Sequence, residues 1–179
     1  NSFYISRSGW TGERGFEIYS KNSDFDGVKL WNFLLEKGLP AGLMPSDVSS
    51  MHIRRIEAGI LDYGTDIDQS LNPFEIGLDR LVHLDKVDFI GRKALMETNH
   101  KSLRLKGLLC GEASLIRGDK VVDSGKDIGF VSAGAWSPYL ESGVGLIRLN
   151  ETRPCDYEVK VITSSGEFDA KVVDLPFYD

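Results

Sequence analysis

The sequence predicts an α+β fold in which a mixed region of strands and helices precedes a small β-barrel or β-sandwich. Two observations lead to this prediction. Strand and helix patterns alternate up to about residue 98. Beyond that point, short apolar runs recur between glycine-containing turns, as in small barrels or sandwiches. The six runs cover 103–109, 120–122, 128–132, 144–149, 158–162 and 168–173.

The first elements are a predicted strand pair. Residues 3–7 and 15–20 have strand character and flank a glycine-rich turn. Alternation along the second strand places Glu17 and Tyr19 on one face and Ile18 on the other. A carboxylate held in a strand two positions from a tyrosine is a suitable recognition group for a ring rich in hydrogen-bond donors.

Two helices follow the strand pair. Asp24 or Asp26 can cap the first helix, whose apolar residues recur at helical spacing until Gly38. After a connector, Ser46 or Asp47 can cap the second. The first half of the chain therefore alternates strand, turn, strand, helix and helix.

The segment before the barrel is predicted to contain three short elements. Pro73 can occupy the first position of a short helix. Residues 81–84 have strand character, and residues 88–95 resemble a capped helix start.

A polar loop after the second helix carries three carboxylates: Asp62, Asp66 and Asp68. The loop lacks the ligand spacing and closing glutamate of a calcium loop, so a structural role is favoured over an ion site. We expect Arg54 or Arg55 to pair with one of these carboxylates or with Glu75, and such an arginine could also brace a site.

Composition limits the classes of function. The formal net charge of −6 disfavours nonspecific binding to nucleic acid or anionic membranes. No apolar run approaches the roughly 18 residues of a membrane span. Cys110 and Cys155 are far apart, which favours free thiols in a reducing, cytoplasmic compartment over a disulfide. The chain begins like an interior strand, so we expect a fragment that lacks an N-terminal portion.

No metal site or nucleophile is predicted in this chain. The histidines, His52, His83 and His100, are widely separated and lack partners at ligand spacing. Neither cysteine has a local catalytic signature. The glycines of the first turn lack the lysine and following helix of a phosphate loop.

Five ordered blocks together resemble one family, the glycine cleavage system T-protein, a folate-dependent aminomethyltransferase. Residues 6–19 resemble its R-T-G-Y-T-G-E-x-G-F-E-I motif, and residues 55–60 resemble its R-L-E-A-G-L motif. Residues 63–78, 88–95 and 129–138 resemble its later blocks in the same order. Because five blocks occur in the family's order between residues 6 and 138, the sequence is identified as a member of this family.

The resemblance implies a three-part fold around a tetrahydrofolate channel. Residues 1–45 would be the second half of a middle ferredoxin-like domain. Residues 46–97 would be the returning segment of the folate-binding domain, and residues 98–179 the C-terminal β-barrel.

The resemblance also implies a cofactor site. Glu17 corresponds to the glutamate that hydrogen-bonds the pterin in the family, and the aromatic Trp10 would line the same pocket. We assign Tyr19, on the same strand face as Glu17, to this site as well. A carboxylate can accept two parallel N–H bonds from the pterin edge, and an indole offers it a flat wall.

Two departures from the family pattern affect the predicted reaction. The family's catalytic aspartate belongs to the N-terminal half, so we expect little or no activity from this chain alone and assign it no catalytic residue. An arginine that helps to bind folate is replaced by Met51. Trp10, Tyr19 and the ending at 174–177 lean toward the dimethylsulfoniopropionate demethylase branch, which transfers methyl rather than aminomethyl groups.

Two alternatives to a transferase remain open at the sequence level. One is a non-enzymatic folate-binding iron–sulfur assembly factor of the same fold, although residues 86–92 lack the cysteine of that branch's K-G-C-Y-x-G-Q segment. The other is a scaffold fragment that only contacts a partner. In a fragment, the surface left by a missing half should be apolar and prone to form a homodimer.

Overall fold

The structure is a computed structural model that describes residues 2–22, 24–98 and 102–178. The chain divides into two compact units, Asn1–Arg54 and Arg55–Asp179. Each unit is described by itself below.

The first unit contains the predicted strand pair and the first helix. Strand β1 (Phe3–Ser6) pairs antiparallel with β2 (Glu17–Ser20). Helix α1 (Gly27–Gly38) begins after Asp26, whose carboxylate accepts a hydrogen bond from the Lys29 N–H at 2.9 Å. A 3-10 turn follows α1. The predictions for these strands and for this helix are confirmed.

Helix α2 spans Val48–Glu57. Its first turn is capped by Asp47, whose carboxylate accepts the Ser50 N–H at 2.9 Å. This confirms one of the two caps that the sequence offered. The last residues of α2, Arg55 to Glu57, are buried in the second unit.

The second unit is dominated by a closed antiparallel barrel of six strands. They are β3 (Leu105–Cys110), β4 (Lys120–Asp123), β5 (Lys126–Ser137), β6 (Ser142–Leu149), β7 (Tyr157–Thr163) and β8 (Gly166–Val173). Their order around the barrel is β3-β6-β5-β4-β7-β8. All six predicted runs lie within or overlap these strands, so the predicted barrel is confirmed.

The barrel core consists of side chains that alternate inward along the strands. Val121, Val131, Ile147 and Val161 are fully buried. Burial alternates along β7, whereas β3 and β6 are buried over nearly their whole length. Closure of the sheet removes exposed strand edges.

Two elements predicted before the barrel are wrong. No helix opens at Pro73: the Asn72 side chain accepts the N–H groups of Phe74 and Glu75, and these bonds close a turn instead. No strand forms over 81–84, where the only regular element is a 3-10 turn over Asp79–Leu81. No described strand lies beside this segment to form hydrogen bonds with it, so its apolar residues do not form a strand.

The helix predicted over 88–95 exists but begins later. Helix α3 spans Arg92–Met96 and follows Gly91, which has a left-handed φ of 89°. A residue in that conformation cannot continue a right-handed helix, so the helix starts after it. The Arg92 guanidinium fixes this start because it donates two hydrogen bonds to the Leu84 carbonyl, at 3.0 and 2.8 Å.

Candidate functional site

The β1–β2 hairpin carries the three residues that the sequence assigned to a cofactor site. The register pairs Ser6 with Glu17 and Tyr4 with Tyr19. Glu17 and Tyr19 are two positions apart on one strand and therefore share a face, as predicted. Trp10 lies in the segment between the strands and is 39% exposed.

The Glu17 carboxylate is an acceptor flanked by hydroxyl groups. Ser8 Oγ donates a hydrogen bond to Glu17 Oε2 and lies 2.9 Å from Ser6 Oγ. Hydrogen bonding to the Glu17 carboxylate, then desolvation and the carboxylate's charge, raise the pKa of Tyr19 above its ordinary value. The hairpin thus presents a half-buried carboxylate with hydroxyl neighbours on a two-stranded sheet.

We expect Glu17→Ala to lower the pKa of Tyr19 toward its ordinary value of about 10. The variant removes both the acceptor and the negative charge that oppose ionisation. In the wild type, the neutral Tyr19 side chain stabilises the folded state fully at pH values below the ordinary tyrosine pKa. This contribution is lost as the pH rises through the raised pKa of Tyr19 in the folded protein. Titration of the Tyr19 ring carbon by NMR measures the shift. Tyr139 in the other unit is the internal control, and an unchanged Tyr19 titration would contradict the contact.

The segment between β1 and β2 is also anchored. Arg54 forms an ion pair with Glu13, and the Glu13 N–H donates to Thr11 Oγ1 at 3.4 Å. These contacts lie within the first unit and hold the segment that contains Trp10.

The second unit contains a buried ion pair. The Arg55 side chain, 4% exposed, lies with Nη1 2.8 Å from Oδ2 of the fully buried Asp66. Asp66 Oδ2 also accepts the Asp62 N–H at 2.9 Å, and Ser132 Oγ donates to Asp66 Oδ1 at 2.7 Å. The prediction that Arg54 or Arg55 pairs with a carboxylate of the loop is confirmed, and the partners are Arg55 and Asp66.

A β-bulge brings Ser132 to this pair. The register between β5 and β6 shifts between Val131 and Ala133, so Ser132 has no partner position across the ladder. A bulge reorients the extra residue, here a buried serine. The loop that begins after α2 is thereby attached to the barrel wall.

The other two carboxylates of the loop also bind protein donors. Thr65 Oγ1 donates to Asp62 Oδ2 at 2.8 Å. Ser70 donates to Asp68 Oδ1, and Arg148 Nη1 lies 2.7 Å from Asp68 Oδ2. The Ser70 hydroxyl and then the Arg148 guanidinium hold the pKa of Asp68 well below its usual range. These contacts give the loop a structural role.

A second buried carboxylate joins α2 to the end of β5. Ser137 Oγ donates to Glu57 Oε1 at 2.5 Å and accepts the Leu140 N–H at 3.0 Å. Sequence reasoning did not single out Ser132, Ser137 or Arg148. Their partners are 66 to 80 residues away, and no local pattern signals such contacts.

The described residues hold no cluster of His, Cys, Asp and Glu that could bind a metal ion. His52 is half-buried and His83 is exposed, while His100 lies outside the described residues. Cys110 is buried and Cys155 exposed, and both are free. None of the helices in the described part of the chain has the length and apolar character that a membrane crossing requires.

Two family profiles match the sequence in succession. The profile of the GCVT N-terminal domain matches residues 2–86, and that of the glycine cleavage T-protein C-terminal barrel domain matches residues 104–179. Together they leave only short segments unmatched.

Curated relatives and a solved structure resemble nearly the whole chain. The aminomethyltransferases of Pseudothermotoga lettingae and Halothermothrix orenii are 37% and 35% identical, each over 97% of this chain. The crystal structure of glycine cleavage system aminomethyltransferase T from Bartonella henselae matches 98% of this chain with a TM-score of 0.81 and 26% identity. These matches cover 48%, 49% and 50% of the longer proteins, so the chain spans about half the length of the relatives it matches.

Proposed function

Because the chain belongs to the glycine cleavage T-protein family, we propose that it supplies part of a tetrahydrofolate-dependent one-carbon transferase. The observation that carries the proposal is the hairpin carboxylate, Glu17, within the sequence block that resembles the family's most recognisable motif. The relatives named above are aminomethyltransferases, and this chain matches half of their length.

The proposed role of Glu17 is to bind the pterin edge of tetrahydrofolate. The 2-amino-4-oxo edge of a pterin offers two parallel N–H donors, and a carboxylate accepts both. Trp10 would provide an aromatic wall for the ring, and Tyr19 would orient the carboxylate through its hydroxyl. Ser8 already occupies one carboxylate oxygen, so its hydroxyl must turn or share that oxygen when the ligand binds.

We expect Glu17→Ala to weaken tetrahydrofolate binding by about 1–3 kcal/mol, which corresponds to the loss of a charge-assisted hydrogen bond. Isothermal titration calorimetry measures the affinity in this chain and in a protein extended upstream to the relatives' full length. Glu13→Gln is the matched control, because Glu13 lies in the same hairpin but pairs with Arg54. Equal affinities in wild type and Glu17→Ala would refute the pterin assignment.

The reaction is proposed at two levels. Transfer of a one-carbon unit to tetrahydrofolate follows from the family, and we expect the isolated chain to have little or no activity because the family's catalytic aspartate lies in the other half. Trp10, Tyr19 and the ending at 174–177 favour methyl transfer of the demethylase type. A product assay separates the two reactions: 5-methyl-tetrahydrofolate indicates methyl transfer, and 5,10-methylene-tetrahydrofolate indicates aminomethyl transfer.

The proposed partners are a small-molecule one-carbon donor and a second copy of the chain. No described residue of the first unit is buried, and several of its large apolar side chains, among them Ile5, Trp31 and Phe33, are at least half exposed. Such a surface favours self-association, which sedimentation equilibrium measures. The free thiols of Cys110 and Cys155 are compatible with a cytoplasmic location.

Two other proposals have less support. An iron–sulfur assembly factor of the same fold would be expected to carry a cysteine within residues 86–92, which this chain lacks. A scaffold fragment that binds no ligand would not account for the grouping of Glu17, Ser8 and Tyr19.

A further inference from the structure

A concave pocket of about 650 Å³ lies in the second unit, between the turn at 76–80, the start of β3 and the chain after β8. Its volume is in the range of small-molecule sites. Its lining combines charged residues with apolar side chains, among them Leu61, Leu78, Leu103 and Leu175. These four side chains are only half-buried because the pocket leaves one side of each without a protein neighbour.

One wall of the pocket contains a buried ammonium group. Lys106 is 7% exposed and pairs with Asp174, whose side chain is 64% exposed. An ammonium has three N–H donors, and the described residues provide an acceptor only in Asp174. Lys106 can therefore donate further hydrogen bonds to a bound molecule.

A second cation, Arg80, also lines the pocket. It is exposed, and its guanidinium makes no hydrogen bond or ion pair with any described residue. A guanidinium has five N–H donors in a planar fork that matches a carboxylate. The two cations thus offer donors on the lining of a pocket that also contains five leucines, Asp79 and Asp174.

We propose that this pocket binds a small organic acid with an apolar body. The carboxylate would accept hydrogen bonds from Arg80 and Lys106, and the body would pack against the leucines. Asp79 and Asp174 balance the two cations in formal charge. The pocket therefore selects the acid through the free N–H donors of Lys106 and Arg80 and not through a net positive charge. Its affinity for the acid should depend only weakly on salt concentration.

The probe is 4-ethylbenzoate, and its neutral isostere 4-ethylbenzamide is the control ligand. Both have the same apolar body, so only the carboxylate distinguishes them. Methyl NMR of the 179-residue chain should show shifts at Leu61, Leu78, Leu103 and Leu175 with the benzoate and at least tenfold weaker binding of the benzamide. Equal affinities, or shifts confined to other methyl groups, would overturn the proposal.

Three variants test the roles of the charges. Arg80→Gln, at an exposed position, should weaken the benzoate about tenfold, and Arg117→Gln outside the pocket should leave it unchanged. Asp174→Asn replaces the carboxylate that competes for Lys106 with a neutral, weaker acceptor, so it should strengthen binding several-fold, with a thermal melt confirming the fold. The proposal fails if Arg80→Gln and Asp174→Asn both leave the benzoate affinity at the wild-type value.

Discussion

Arg55→Met is expected to lower the free energy of unfolding of the second unit by about 3–5 kcal/mol, the usual cost of leaving one partner of a buried ion pair alone. Asp66 is fully buried and would be left without a cationic partner. The hydrogen bonds that Asp66 accepts from Ser132 and from the Asp62 N–H do not replace a cation. Urea denaturation followed by circular dichroism measures the loss.

Two controls separate the buried pair from ion pairs in general. Lys120→Met removes an exposed pair in which Nζ lies 3.8 Å from Asp127, and such pairs contribute about 0–1 kcal/mol. The double variant Arg55→Met/Asp66→Asn removes both charges, so its loss should be clearly smaller than the sum of the two single losses. A loss below about 1 kcal/mol in Arg55→Met would show that the pair does not hold the loop to the barrel.

Gly143→Ala is expected to destabilise the barrel by about 3 kcal/mol or more, at the upper end of overpacking substitutions. A Cβ at Gly143 would lie 2.0 Å from the Ala113 carbonyl oxygen and 3.1 Å from the Cys110 carbonyl oxygen. Both are backbone atoms at the end of β3 and in the segment that follows it, so no flexible side chain can move aside. The strand pair β3–β6 would have to separate locally.

Gly111→Ala is the matched control for this substitution. Gly111 lies in the same turn region, a Cβ added there would meet no other atom within 4 Å, and its φ is not left-handed. Its replacement should change the free energy of unfolding by less than about 1 kcal/mol. Equal stability of the two alanine variants in urea would contradict the close packing of β6 against this segment.

The predictability of each element follows the range of the interactions that form it. The barrel strands were predictable because alternation and glycine turns are local, and each strand needs only its neighbours in a closed sheet. The turn at Asn72 and the segment 81–84 were mispredicted because a few side-chain contacts and the lack of a pairing strand override weak local propensity.

The candidate sites divide in the same way. The hairpin carboxylate could be located from sequence because Glu17, Tyr19 and Ser8 lie close together in the chain, on one turn and strand. The pairing of Arg55 with Asp66 could be anticipated because helix and loop are adjacent in the chain. The serines that complete the buried contacts could not, since Ser132 and Ser137 reach partners 66 and 80 residues away.

The sequence by itself therefore determined the order of the main elements, the six-stranded C-terminal module and the face of the hairpin that carries Glu17. All three depend on periodicity and turn chemistry within short stretches. Only the tertiary structure decided which carboxylates are buried, that a bulge turns Ser132 to Asp66, and that Lys106 and Arg80 line one pocket. Burial and unused donors depend on how distant segments pack, and a linear pattern does not contain that information.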